Sequence, residues 1–237
     1  MSPPHRLAAA ARWTLGHPAA IACLVVLGIA DAVLAGVHLI HLSSGFAADP
    51  RANLGFDGGH GEWFEYAKTL LCAAATAAVW QRTRQPVYAA LALVYAFVLA
   101  DNALEIHERA DAAMAVLFAP AAALFADAPQ VVAQAVFYLA VGGAIAAGLS
   151  RAFRRSAPAH RRCAALCVAA VTVLAGFAVG VDLLHAAVTG MLDDHDLVLG
   201  FAEDGGELAA LTLNAWVAAG LYARLAAPRP SAAAAGR

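Results

Sequence analysis

Six apolar runs, near residues 18–42, 62–82, 86–109, 130–150, 163–188 and 203–226, constrain the fold of this 237-residue chain more than any other feature. At about 1.5 Å of rise per residue, each run is long enough to cross roughly 30 Å of hydrocarbon as a helix. The expected architecture is an all-α, polytopic integral membrane bundle of six transmembrane helices. It forms one domain over 1–226, followed by a disordered tail over 227–237. Composition agrees, because 62 % of residues are hydrophobic, 14 % are charged and the mean hydropathy is +0.68. A soluble globular domain is poorly described by those values. Arg6 and Arg12 precede the first run as they would a secretory signal, but about 24 apolar residues exceed an h-region, so a retained helix is expected.

Charge is segregated along the runs. Of the 15 lysines and arginines, all but Arg51, Lys68 and Arg109 fall in the N-terminus, the 81–85 turn, the 151–162 loop and the C-terminal segment. With six spans those segments share one side, which the positive-inside rule assigns to the cytoplasm, with both termini. The expected location is an inner (plasma) membrane with the acidic ends of the helices facing outward. No basic patch argues for nucleic acid. The expected partners are the lipid bilayer and a lipid-soluble or extracytoplasmic small molecule. Cys23, Cys72, Cys163 and Cys167 fall in or at the starts of spans and read as small packing residues, not as a disulfide framework.

Three connecting segments add detail. The glycine-rich 43–61 stretch is placed to cover a site at the acidic side, and 112–125, interrupted by Pro120, is too short to span and reads as interfacial or re-entrant. The Asp193-Asp194-His195-Asp196 run reads as a solvated loop.

Rise per residue sorts the ionisable groups into two layers. Asp31, Lys68 and Asp101 come out roughly 20 Å from the arginine side, where an uncompensated charge costs about 2.5–3.5 kcal/mol. They are expected to form a buried ion cluster that Asn102 and Asn214 complete, either orienting three helices or relaying protons. At roughly 26–35 Å lie His38, His41, Glu62, Glu65, Glu105, Glu108, Asp182, His185, Glu203 and Glu207. Their i,i+3 and i,i+4 spacings put each pair on one helix face, and Asp101 sits seven residues before Glu108 on the same expected stripe. His107 points about 100° away from Glu108.

Acids at the starts of the second and sixth spans suit the helix dipole, whereas Glu105, Glu108 and Asp182 oppose it at helix ends. Seven carboxylates at one level, with Lys68 already matched to two aspartates, must bind cations, share protons or be hydrated. Carboxylates with imidazoles suit iron, manganese or zinc. The expected ligand pool for such a divalent metal is Glu62, Glu65, Glu105, Glu108, Asp182, His185, Glu203, Glu207 and His38. Paired acids on four helices resemble, in ligand chemistry, the dinuclear carboxylate sites of four-helix bundles, although only Asp182-x-x-His185 approaches the Glu-x-x-His motif used there.

The leading expectation is a metal-dependent membrane enzyme, oxidoreductase or hydrolase, with its site at the extracytoplasmic end. A proton or cation transporter using the same acids, a structural membrane subunit, and a haem protein with two of His38, His41 and His185 as axial ligands are the alternatives.

Overall fold

The computed structural model describes residues 3–44, 49–122, 129–188 and 195–226. All regular structure among them is helical: α1 (Pro3–Leu15), α2 (Pro18–Ser44), α3 (His60–Thr83), α4 (Pro86–Leu104), α5 (Ile106–Ala122), α6 (Pro129–Arg155), α7 (Pro158–Ala175), a π-helical turn (Gly176–Val181), α8 (Asp182–Val188) and α9 (His195–Leu225), with a 3₁₀ turn at Pro50–Ala52. Proline opens α2, α4, α6 and α7, where its missing N–H costs nothing and its φ already suits a helix. Asp193, Asp194 and the 227–237 tail lie outside what is described, whereas His195 and Asp196, expected in a solvated loop, belong to the first turn of α9.

Among the described residues, five helical stretches are long and apolar enough to cross a membrane: Pro18–Ser43, Pro86–Leu104, Val132–Arg155, Pro158–His185 and Val198–Leu225. The second expected span, 62–82, forms a helix, α3, but Glu62, Glu65, Lys68 and the polar end at Gln81–Thr83 dilute its apolar residues below that composition. Packing explains the difference. Helix α3 lies against both α4 and α9, the most extensive contacts in the molecule. Lys68, Thr69, Cys72, Thr76 and Val79 are buried there. A helix enclosed by other helices meets little lipid and tolerates polar groups that an outer helix does not.

The main core joins α3, α4, α7 and α9 through Cys72, Val79, Tyr88, Leu91, Tyr95, Cys167, Ala170, Ala215, Ala218 and Leu221. Many of these are small, which lets helices approach closely where hydrophobic collapse supplies no drive. All four cysteines are free. Asn214, fully buried, accepts from the Tyr95 hydroxyl at 2.7 Å and donates to the carbonyls of Ala170 and Ala210, tying α9 to α4 and α7. At the arginine end, Ser156 Oγ accepts from Val87 N at 3.1 Å and Gln85 Oε1 accepts from Ala157 N at 2.9 Å, so the α3–α4 and α6–α7 turns cap each other.

The third expected span, 86–109, is broken. Glu105 adopts a left-handed conformation, φ 51°, and closes α4 with its N–H on the Asn102 and Asp101 carbonyls. The chain then restarts as α5, which packs on α6. Asp101 and Glu108 are therefore not on one helical stripe, and much of the segment expected to be interfacial belongs to a helix that starts at Ile106.

Candidate functional site

Chain direction brings the ends of α2, α4 and α8 to the starts of α3, α6 and α9, and acids of α3, α4, α5, α8 and α9 converge at one end of the bundle. They surround a cavity of about 1440 Å³ that runs past them, between α4, α6 and α7, to Ser150, Phe153 and Arg154. It is larger than the roughly 300–1,000 Å³ of an ordinary small-molecule pocket. Glu62, Glu65, Asp101, His107, Glu108, Asp182, Glu203, Asp204 and Glu207 line its acidic end. Leu54 to Asp57, from the glycine-rich segment, line its mouth.

Beneath this end, Lys68 Nζ sits 2.9 Å from Asp31 Oδ1, donates to the Leu208 carbonyl at 2.6 Å and lies 4.6 Å from the Phe64 ring centroid. Thr212 Oγ1 donates to the other Asp31 oxygen at 2.6 Å. Asp101, expected in the same cluster, turns instead to the restart of the broken helix: Oδ1 accepts from His107 N at 3.0 Å and Oδ2 faces His107 Nδ1 at 3.2 Å. Asn214 serves the helix tie described above.

Most of the shallower acids have their own donor. The Gly58 N–H and the Tyr66 hydroxyl both donate to Glu62. Gln134 and Tyr138, one turn apart on α6, donate to Asp182 Oδ2. His185 Nδ1 meets Glu203 Oε2 at 2.8 Å. Glu105 pairs with Arg109 in water, both more than half exposed, and Glu108 is 59 % exposed at the rim. His38 is buried, stacked on Phe201, and its Nδ1 accepts from Leu54 N at 3.1 Å, which puts the ring proton on Nε2 and fits a structural acceptor better than a metal ligand.

Glu65, Asp204 and Glu207 differ. All three line the cavity on the facing helices α3 and α9, none of their side chains receives a hydrogen bond from a described residue, and Glu65 and Glu207 lie within reach of one another's charge. The π turn matters here. It seats the Phe177 ring against Gly206, where an added Cβ would fall 2.1 Å from Cδ1, and so fixes α9 one residue before Glu207.

Residues absent from the expected set also shape the site: Tyr66, Gln134, Tyr138, Asp204 and Thr212. Tyr66 stands four residues after Glu62, and Gln134 and Tyr138 four apart in an apolar helix, a spacing that marks polar groups sharing one face. Attention to neutral polar residues in the spans finds them.

The hydrogen bond to Asp101 holds the His107 imidazole above its usual range, with burial opposing and the charges of Asp101, Glu108 and Asp182 assisting. A histidine raised on folding stabilises fully below its unfolded value of about 6.5 and loses that contribution as pH climbs through the raised native value. The thermal midpoint of the parent protein is expected to decline over that window relative to His107→Gln. Parallel pH profiles for the two would contradict the pairing.

Among the described residues, no three histidine, cysteine, aspartate or glutamate side chains converge closely enough to hold a metal ion. Comparison with curated proteins and with solved structures finds no match. A family model covers residues 19–223, from the second residue of α2 to the last turns of α9, and the chain belongs to that family, described as Domain of unknown function (DUF8692).

Proposed function

We propose that this protein is a proton or cation transporter of the membrane, exchanging its cation on Glu65 and Glu207. The observation that carries the reading is that Glu65 and Glu207, with their neighbour Asp204, line the cavity without a hydrogen-bond donor among the described residues, whereas Glu62, Asp182 and Glu203 each have one. Glu65 is buried and Glu207 half-buried on facing helices, and carboxylates so placed favour a shared proton or a bound cation. Lys68, one turn from Glu65, is committed to Asp31 and the Leu208 carbonyl. The length of the cavity supports movement across the bundle, because it continues from the acids to Arg154 at the opposite end, a route that no chain of ionisable residues provides.

The test is a pH-jump flux in proteoliposomes holding the full chain and an internal pH dye. Glu65→Gln with Glu207→Gln is expected to slow the flux by about tenfold or more, the change that a loss near 1.4 kcal/mol produces. Glu105→Gln, at the exposed pair with Arg109, is expected to leave it unchanged. Equal flux in the parent and the double variant overturns the reading.

A second reading, a metal-dependent enzyme, draws support from the mutual electrostatic reach of Glu65, Glu203, Asp204, Glu207 and Asp182 around the same end of the cavity. It requires iron, manganese or zinc in protein purified without chelators, and a content that falls in Glu207→Gln. No metal, even after metal is offered back, removes it.

A further inference from the structure

Helices α6 and α7 follow one another through a two-residue link, yet they scarcely touch along their lengths: α6 packs on α5 and α4, and α7 packs on α9. Consecutive antiparallel helices with so short a link ordinarily pack together. Here the space between them is cavity. Val141 and Ile145 on α6 face it from one side, and Val168, Val171 and Ala175 on α7 from the other. The gap is closed at both ends. At the arginine end Leu149 and Phe153 pack on the core, and at the acidic end Gln134 and Tyr138 of α6 bond to Asp182 of α8.

From this arrangement we infer that the gap between α6 and α7 is a lateral door from the bilayer, through which a long-chain amine enters. Its chain lies along the apolar walls and its ammonium group sits at Glu65 and Glu207. Length fits, since Tyr138 and Phe153 both line the cavity and a helix of that span measures about 22 Å, most of the hydrocarbon thickness. Charge selects the head group. The acidic end presents carboxylates from α3, α4, α8 and α9, and its nearby cations are occupied, Lys68 by Asp31 and Arg109 by Glu105. An anionic head would add repulsion there, and a neutral hydroxyl would leave the two glutamates without a counter-charge. An ammonium group supplies both donors and charge. The inference rests on the cation site proposed above for its head group only; the door and the apolar walls are independent of it.

Gly142 makes the door testable. It lines the cavity, and a Cβ added to it meets no atom within 4 Å, so a large side chain there enters open space rather than the packed bundle. The probe is radiolabelled hexadecylamine, with hexadecanol and palmitate for comparison, titrated against the full chain in nanodiscs. Saturable binding of the amine near one per chain is expected, at least about tenfold tighter than palmitate, which corresponds to 1.4 kcal/mol. Gly142→Phe and Gly142→Leu, each checked for the parent's elution and thermal midpoint, are expected to weaken the amine and the alcohol together. Glu65→Gln with Glu207→Gln is expected to remove the preference for the amine while leaving the alcohol bound. Amine binding no tighter than palmitate, or unaffected by both Gly142 variants, overturns the inference. Flux lost in the glutamate double variant with the amine preference intact overturns it as well and leaves the transporter reading standing. Preference lost with flux intact upholds the inference and overturns that reading.

Discussion

Lys68→Met is expected to unfold far more readily than the parent protein. Lys68 is 1 % exposed and Asp31 14 %, and the ammonium group is shared between that carboxylate, the Leu208 carbonyl and the Thr212 hydroxyl. Methionine fills much of the space of the lysine stem, so packing against Phe64 is largely retained and the loss is electrostatic. Removing one partner strands the other as a buried, uncompensated charge, which costs about 3–5 kcal/mol. The double variant Asp31→Asn with Lys68→Met removes both charges and is expected to recover most of that loss, because the amide oxygen introduced in place of the carboxylate still accepts from Thr212. Thermal midpoints of the two variants and the parent in one detergent check this. A single variant as stable as the parent would mean that the pair contributes nothing to holding α2 and α3 against α9.

Gly220→Val carries the second large effect, through shape. A Cβ at Gly220 would lie 2.4 Å from the Thr14 carbonyl oxygen, a backbone atom that cannot swing aside, so α1 must lift away from α9. Two tethers go with it: Trp216 Nε1 donates to the Leu15 carbonyl at 3.2 Å, and Arg224 Nε donates to the Trp13 carbonyl at 2.9 Å. Forced overpacking of this kind costs about 1–3 kcal/mol. Faster proteolysis within α1 and a lower thermal midpoint are expected together. Gly36→Ala, whose Cβ meets nothing within 4 Å, is the matched control and is expected to be neutral or slightly stabilising through helix propensity. If both substitutions behave alike, the close approach of α1 to α9 is not what the glycine serves.

The sequence carries some of these features openly and others not at all. Long apolar runs report helices because hydropathy and rise per residue are local properties, and five of the six runs yield helices apolar enough to span. Composition alone does not settle the place of α3, since its polar residues are permitted by enclosure between α4 and α9, and enclosure is not a local property. The break at Glu105 is equally hard to read. No proline or glycine marks it, and its left-handed backbone is held by carbonyls of α4 and by the bonding of His107 to Asp101 across the turn.

Pairing of the acids shows the same division. Spacings of three and four residues put Glu62 with Glu65 and Asp182 with His185 on common faces, yet within each pair the partners differ. Glu62 meets Tyr66 while Glu65 faces the cavity, and Asp182 meets Gln134 and Tyr138 while His185 meets Glu203. What the sequence determined by itself is that the long apolar runs are helical, that most acids gather toward one end and most arginines toward the other, and the cost of every charge left between them. The tertiary structure decided which donor each acid meets, that Glu65 and Glu207 meet none among the described residues, and that α6 stands off from α7 around a cavity. The reason is rotational: each residue turns a helix by about 100°, so the rotation and separation of packed neighbours, which periodicity does not encode, choose the atoms that touch.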